Sequence, residues 1–218
     1  MRSLARMTLR IAIAALAPLA LGACATTPEP RGPQDAFWSA LESHCGQAYA
    51  GELASEDARD ADWRGKRMVA HWAQCEDTRI AIAFHVEDAE QPGGWNRSRT
   101  WIVTREGAPG TMRLTFKHDH RHSDGEPDAV TFYGGTTASP GTAQAQDFPV
   151  DAESIALFGE QGLGASVTNV WRIEADPAGT PDAQFVYQLT RGNDPSRLFR
   201  VAFDASEPVP APPPAWGW

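Results

Sequence analysis

The densest concentration of chemically versatile side chains is the run Lys117-His118-Asp119-His120-Arg121-His122-Ser123-Asp124-Gly125-Glu126-Pro127-Asp128, which holds three of the chain's six histidines. On a strand, side chains alternate between faces, so His118, His120 and His122 share one face and extend the apolar row Met112, Leu114, Phe116. Two imidazoles at i and i+2, with Cβ atoms roughly 6.5–7 Å apart, are close enough to converge on one ion at about 2.0–2.1 Å from each nitrogen. His118 and His120 are therefore candidate ligands for a divalent transition metal. His122 sits about 13 Å from His118 at ~3.3 Å per residue, so a third ligand must come from elsewhere, with His85 and Asp128 as candidates. The same run also reads as a solvated hairpin tip whose imidazoles bond Asp124 or Asp128. A third reading makes it the polar mouth of a ligand-binding pocket. Histidines near their ordinary pKa give this end a pH response.

Two further groups bear on chemistry. Arg99 and Arg105 share a face with Trp101, a pattern that favours guanidinium stacking over anion binding. Tyr133-Gly134-Gly135-Thr136-Thr137 reads either as a backbone loop that approaches a ligand or as a bulge or turn. The motifs of common enzyme classes are missing. The sequence holds no Gly-x-Ser-x-Gly elbow, His-Glu-x-x-His pair, P-loop or dinucleotide-binding glycine fingerprint. The expectation is a binding protein rather than an enzyme.

The elements that must carry these residues are mostly strands. Residues 33–44 have helical spacing of Phe37, Trp38 and Leu41 after a Gly-Pro start. The period then changes to two. Ile80, Ile82, Phe84 and Val86 alternate with more polar or smaller residues and predict a half-buried strand. Met112, Leu114 and Phe116 repeat the pattern, followed by Val130 and Phe132 beyond a turn at 123–127. Later come Val167, Trp171 and Ile173; Phe185, Tyr187 and Leu189; and Phe199, Val201 and Phe203. Weaker strand signals lie at 48–53, 67–75, 99–104 and 142–148. One helix at 151–161 has Asp151 to cap its start and Gly162 just past its end.

About ten strands with no recurrent helix between them imply antiparallel connections. Hiding their edges favours a closed or nearly closed β-barrel, with a β-sandwich as the alternative. A short N-terminal helix leading into such a barrel resembles the lipocalin (calycin) arrangement in architecture, without its Gly-x-Trp strand motif. The His row then lies at the barrel's mouth, facing in.

Length, charge and cysteines set the context. The chain has 218 residues, is 42% hydrophobic and carries a formal charge of −9, which fits one globular domain and argues against nucleic acid as a partner. Arg2, Arg6 and Arg10 precede an apolar run at 11–21, too short for a helix across a bilayer of about 30 Å and of signal-peptide length. Leu21-Gly22-Ala23-Cys24 resembles the lipobox of bacterial lipoproteins. That resemblance implies cleavage after residue 23, lipidation of Cys24 and anchoring to the membrane. With Ala25 rather than Asp following, it points to the outer membrane. The layout is then a signal peptide at 1–23, a lipidated Cys and tether at 24–32, one β domain at 33–206 and a Pro/Trp-rich tail at 207–218. With Cys24 acylated, Cys45 and Cys75 remain as a disulfide pair in an oxidising compartment. The tail, with Val209, Trp216 and Trp218, is expected to lie back on the domain, because tryptophans are costly to leave in water.

Several stretches together resemble a family of bacterial exported proteins that has no established activity. They are Phe37-Trp38 with His44-Cys45-Gly46, Ser98-Arg99-Thr100-Trp101, the HDHRHSDG run with Thr131-Phe132-Tyr133-Gly134-Gly135, Asp147-Phe148-Pro149-Val150-Asp151, and Pro214-Ala215-Trp216-Gly217. The resemblance covers nearly the whole chain after residue 24 and implies one domain of that kind. It supplies no substrate, cofactor or catalytic residue.

Three functions follow as expectations. The first is a lipid-anchored envelope protein that binds a small or lipid-like ligand in its barrel, with His118, His120, His122, Trp101 and Arg99 as binding residues. The second is a metal-binding protein or metal-dependent enzyme using His118 and His120. The third is a structural or assembly component that uses the Pro/Trp tail as its contact.

Overall fold

The computed structural model of the protein describes residues 32–218. The expected signal peptide, Cys24 and nearly all of the expected tether lie outside the described residues. A helix α1 (Pro33–Glu42) leads into β1 (Ala48–Leu53), β2 (Met68–Glu76), β3 (Arg79–Glu87), β4 (Trp95–Glu106), β5 (Arg113–His120), β6 (Tyr133–Thr136) and β7 (Ala145–Pro149). A second helix α2 (Ala152–Glu160) precedes β8 (Asn169–Ala175), β9 (Gln184–Arg191) and β10 (Asp194–Pro208). The ten strands form one antiparallel sheet in the order β6-β5-β4-β3-β2-β1-β10-β9-β8-β7. Its two edges meet where Gly135 bridges Val150 and the Asp151 amide donates to the Gly134 carbonyl at 3.1 Å. The result is a nearly closed barrel, and a single sheet joined to itself excludes the two-sheet sandwich.

Closure at that seam depends on glycine. A Cβ on Gly135 would collide with the Pro149 carbonyl oxygen, and one on Gly134 with the Phe116 carbonyl oxygen. The Tyr-Gly-Gly stretch is thus a closing strand with close backbone approach rather than a ligand loop. Asp151 caps α2 by accepting the Ser154 amide at 2.9 Å, and Gly162 ends it at φ 69°. The Ser154 hydroxyl in turn reaches back to the seam and accepts the Gly134 amide at 2.7 Å.

Helix α1 plugs one end of the barrel. Phe37, Trp38 and Leu41 are fully buried there. The Asp35 carboxylate fixes the helix start by accepting the amides of Gly32 (3.1 Å) and Gly110 (2.8 Å). Just past the helix, Cys45 is bridged to Cys75 at the end of β2, with Cα atoms 6.0 Å apart. His44 is locked between the Tyr49 hydroxyl (2.9 Å) and the Asp176 carbonyl (2.8 Å).

Three expectations are corrected. Strand β3 is buried on both faces, not one, since the outward Ala81, Ala83 and His85 are at most 1% exposed. The C-terminal tail lies across this side of the barrel, as its tryptophans require. The Trp216 amide donates to the Arg97 carbonyl (3.0 Å), Arg97 donates to the Pro214 carbonyl (2.7 Å), and Trp218 Nε1 donates to Asp119 (3.0 Å). Strand β10 itself runs on to Pro208, two residues into the segment that composition sets apart.

The second correction concerns the strand expected at Val130 and Phe132. Side chains replace the ladder there: Asp128 accepts the Val130 amide (2.7 Å) and the Thr131 hydroxyl accepts the His120 amide (2.8 Å). Phe132 adopts φ 55° and is 45% exposed, and the strand begins only at Tyr133. The third correction is His122. Strand β5 ends at His120, and the chain leaves the pleat into a tight turn in which the His122 amide donates to Glu126 and the Gly125 amide to His122. His122 is exposed, with Nε2 3.6 Å from Asp128.

Candidate functional site

The barrel end opposite α1 is open to a cavity of about 240 Å³. Strand alternation builds its walls. Phe84 on β3, Arg99 and Trp101 on β4, His118 and His120 on β5, and Tyr187 and Leu189 on β9 all point into it. The register places Trp101 opposite His118 and Arg99 opposite His120. Four of the residues expected to bind ligand therefore meet in one place, and His122 alone stays outside.

The cavity's apolar surface is a row of near-parallel rings. Tyr187 stacks on Trp101 (4.6 Å between centroids, 6° between planes), and Trp101 on Phe84 (4.5 Å, 14°). Trp63 continues the row beyond Phe84 at 6.1 Å and 3°, and meets Phe199 edge-on at 5.2 Å. Trp63 comes from a 3-10 turn, Ala58–Trp63, that folds over the mouth between β1 and β2. Its anchor is Arg197 on β10, which donates to the buried Asp60 at 2.6 and 2.9 Å and to Asp57 at 3.0 Å.

The two inward histidines are held as neutral hydrogen-bonding groups. His118 places Nδ1 3.2 Å from the Tyr133 carbonyl and Nε2 3.0 Å from the Tyr187 hydroxyl, while its ring stacks on Tyr133 at 4.5 Å. His120 Nε2 lies 3.2 Å from the Tyr133 hydroxyl. Burial, reinforced by His120, drops the His118 pKa well below the usual value. Burial and the nearby Arg99 charge lower His120 to about 4. The phenols move the other way, with Tyr133 pushed up to about 12 and Tyr187 raised well above the usual value, both mainly by burial. At neutral pH these four groups are an uncharged network of weak acids and weak bases. Such a network suits recognition better than proton transfer, which wants groups that titrate near the working pH.

As to metal ligation, the His118 and His120 ring centroids are 6.2 Å apart, and both His118 nitrogens already face oxygen partners. His85 points to the opposite, outer face of the sheet, where its ring meets Trp95 edge-on at 6.4 Å. Asp128 lies in the loop beside His122. Among the described residues, no three His, Cys, Asp or Glu side chains converge to hold an ion.

Arg99 is the exceptional charge of the site. The stacking expected for Arg99 and Arg105 is present, though on other rings: Arg99 lies 5.2 Å from Trp63 and Arg105 lies 4.6 Å from Trp38. Arg99 Nη1 also donates to the Ser98 hydroxyl (3.1 Å) and weakly to Asn96 (3.4 Å). No carboxylate among the described residues forms an ion pair with it, and burial lowers its pKa.

Several lining residues escaped the sequence reading. Tyr187 shares the alternation of Phe185 and Leu189, so its inward aim was legible but not its bond to His118. Tyr133 falls in a stretch whose glycines fit a ligand-approaching loop or a bulge or turn, and its place on the closing strand carries no separate signal. Trp63 and Arg197 have no periodic signal, because their roles arise only where a 3-10 turn crosses a distant strand. Compared with known proteins, the chain matches no family model, no curated sequence and no solved structure.

Proposed function

We propose that this protein is a lipid-anchored component of the bacterial cell envelope, held by Cys24 at the outer membrane, that binds a small, mainly apolar molecule in the mouth of its barrel. The observation that carries the binding reading is the open cavity of about 240 Å³ between a stacked aromatic row and a neutral His/Tyr network. Pockets of this kind, apolar with a few placed polar groups, are the usual form of small-molecule sites. The volume matches roughly eight water molecules at ~30 Å³ each, so the buried part of the ligand is about one ring with a short chain.

Trp63 and Trp101 line the cavity and report on its contents. Occupancy should quench or shift tryptophan emission saturably, and Leu189→Trp, which fills the mouth, should abolish the response. A panel of small aromatic and short-chain amphiphiles that leaves the emission unchanged at millimolar concentration refutes the binding reading. The envelope reading has its own test. Cys24→Ser should move the protein out of the membrane fraction, and unchanged fractionation would reject anchoring through that residue.

A further inference from the structure

The two arginines at the cavity differ in a way that specifies the ligand. Arg197 is neutralised by the carboxylates of Asp60 and Asp57, which raise its pKa. Arg99, which lines the same cavity, has only neutral partners: the Trp63 ring, the Ser98 hydroxyl and the Asn96 carbonyl oxygen. Burial lowers its pKa, the direction expected when a cation is withdrawn from water without a counter-charge. Three acids line the adjoining outer groove with Arg99, namely Asp62, Glu87 and Asp88; none forms an ion pair with it, and Glu87 is engaged by Arg67 at 2.9 Å. His118 and His120 are neutral and bring no negative charge. The site therefore presents one uncompensated guanidinium inside a chain whose formal charge is −9. A guanidinium fork matches a carboxylate bidentately, and the stacked rings beside it match an apolar or aromatic body.

We propose that the barrel mouth selects small organic acids, with the ligand's carboxylate seated on Arg99 and its apolar body against Trp101, Phe84 and Trp63. The inference rests on the cavity-binding reading above. The carboxylate supplies the counter-charge that the fold leaves out, and a neutral isostere of the same shape lacks it. The Tyr133 hydroxyl, already paired with His120, closes the polar side of the same wall.

The test compares 3-phenylpropionate with 3-phenylpropionamide, two molecules of nearly the same shape. Each is titrated into the full-length protein in detergent micelles, followed by tryptophan emission and calorimetry, with protein-free micelles as the partition control. The expected result is at least tenfold tighter binding of the acid. That preference should persist in Arg99→Lys in weakened form and vanish in Arg99→Gln, where acid and amide bind alike. Equal affinity of acid and amide for the unaltered protein overturns the organic-acid inference while leaving the cavity reading intact. Failure of both to bind at millimolar concentration overturns both readings. The acid/amide comparison is made on the natural chain, so the inference stands or falls even where an Arg99 variant fails to fold.

Discussion

Replacing Arg197 by Met tests whether one ion pair holds the lid of the cavity. Arg197 and Asp60 have side chains 11% and 5% exposed and are joined by bonds of 2.6 and 2.9 Å. Removing one partner of a buried pair costs about 3–5 kcal/mol, because the other charge is left in a poorly hydrated site. Asp57, which also touches Arg197, is not orphaned, since Arg59 keeps a bond to it at 2.6 Å. The lower end, about 3 kcal/mol, is therefore expected, chiefly from Asp60. In a domain of this size that lowers Tm by roughly 6–12 °C. Thermal unfolding by circular dichroism measures it. Asp60→Asn combined with Arg197→Met should be more stable than the sum of the two single losses predicts, by about 1 kcal/mol or more, because no charge is then stranded. The Trp63 ring, released with the turn, should show red-shifted emission in Arg197→Met. A Tm within about 2 °C of the natural protein, or a double-mutant cycle with no coupling, would refute the reasoning.

Other consequences follow from the same geometry. Replacing both Cys45 and Cys75 by Ala opens a loop with a sequence separation of 30 and should cost about 3–4 kcal/mol in denaturant unfolding on the chain-entropy model, and a loss under about 1 kcal/mol would contradict it. Gly135→Ala should part the seam, seen as fast exchange of the Asp151 amide that bonds the Gly134 carbonyl, whereas protection equal to the natural chain would mean the seam tolerates a Cβ. His85 is fully buried and held at about 4 by burial, with His71 and Arg97 adding to the effect. Its unfolded form takes a proton near 6.5, so its contribution to stability is full above that pH and is lost as pH falls from about 6.5 to about 4. His85→Leu should leave stability at pH 7 unchanged or higher, because neither ring nitrogen has a hydrogen-bond partner among the described residues. It should also flatten the loss between pH 6.5 and pH 4, and an unaltered pH profile would remove His85 as its source.

How far the sequence carried the fold is visible in particular residues. Period-two alternation located most strands, and Ala48–Leu53 has the bounds that its pattern predicts. The inward aim of His118 and His120 followed from the same period, and the disulfide followed from the even cysteine pair. Alternation failed where side chains replaced backbone pairing. Asp128 and Thr131 satisfy amides that a regular ladder would have used, and no periodic signal marks such capping. Alternation places Asp119 on the outer face, where it lies, but it is only 1% exposed there, beneath Trp218 and beside Arg121. An outward residue reads as solvated unless a distant segment covers it, and the covering tail lies about 100 positions away in the chain. The candidate site was legible as a wall but not as a pocket. Its lid, its Arg197 anchor and the contrast between two arginines arise from contacts between remote elements.

The central claim is that the barrel mouth holds a small organic molecule. Native mass spectrometry of the protein, gently purified without a His tag from cells that express it, tests it most directly. An adduct of organic mass, released on denaturation and absent from Leu189→Trp, is the expected result. A bare protein mass, or an adduct carried equally by Leu189→Trp, would contradict it.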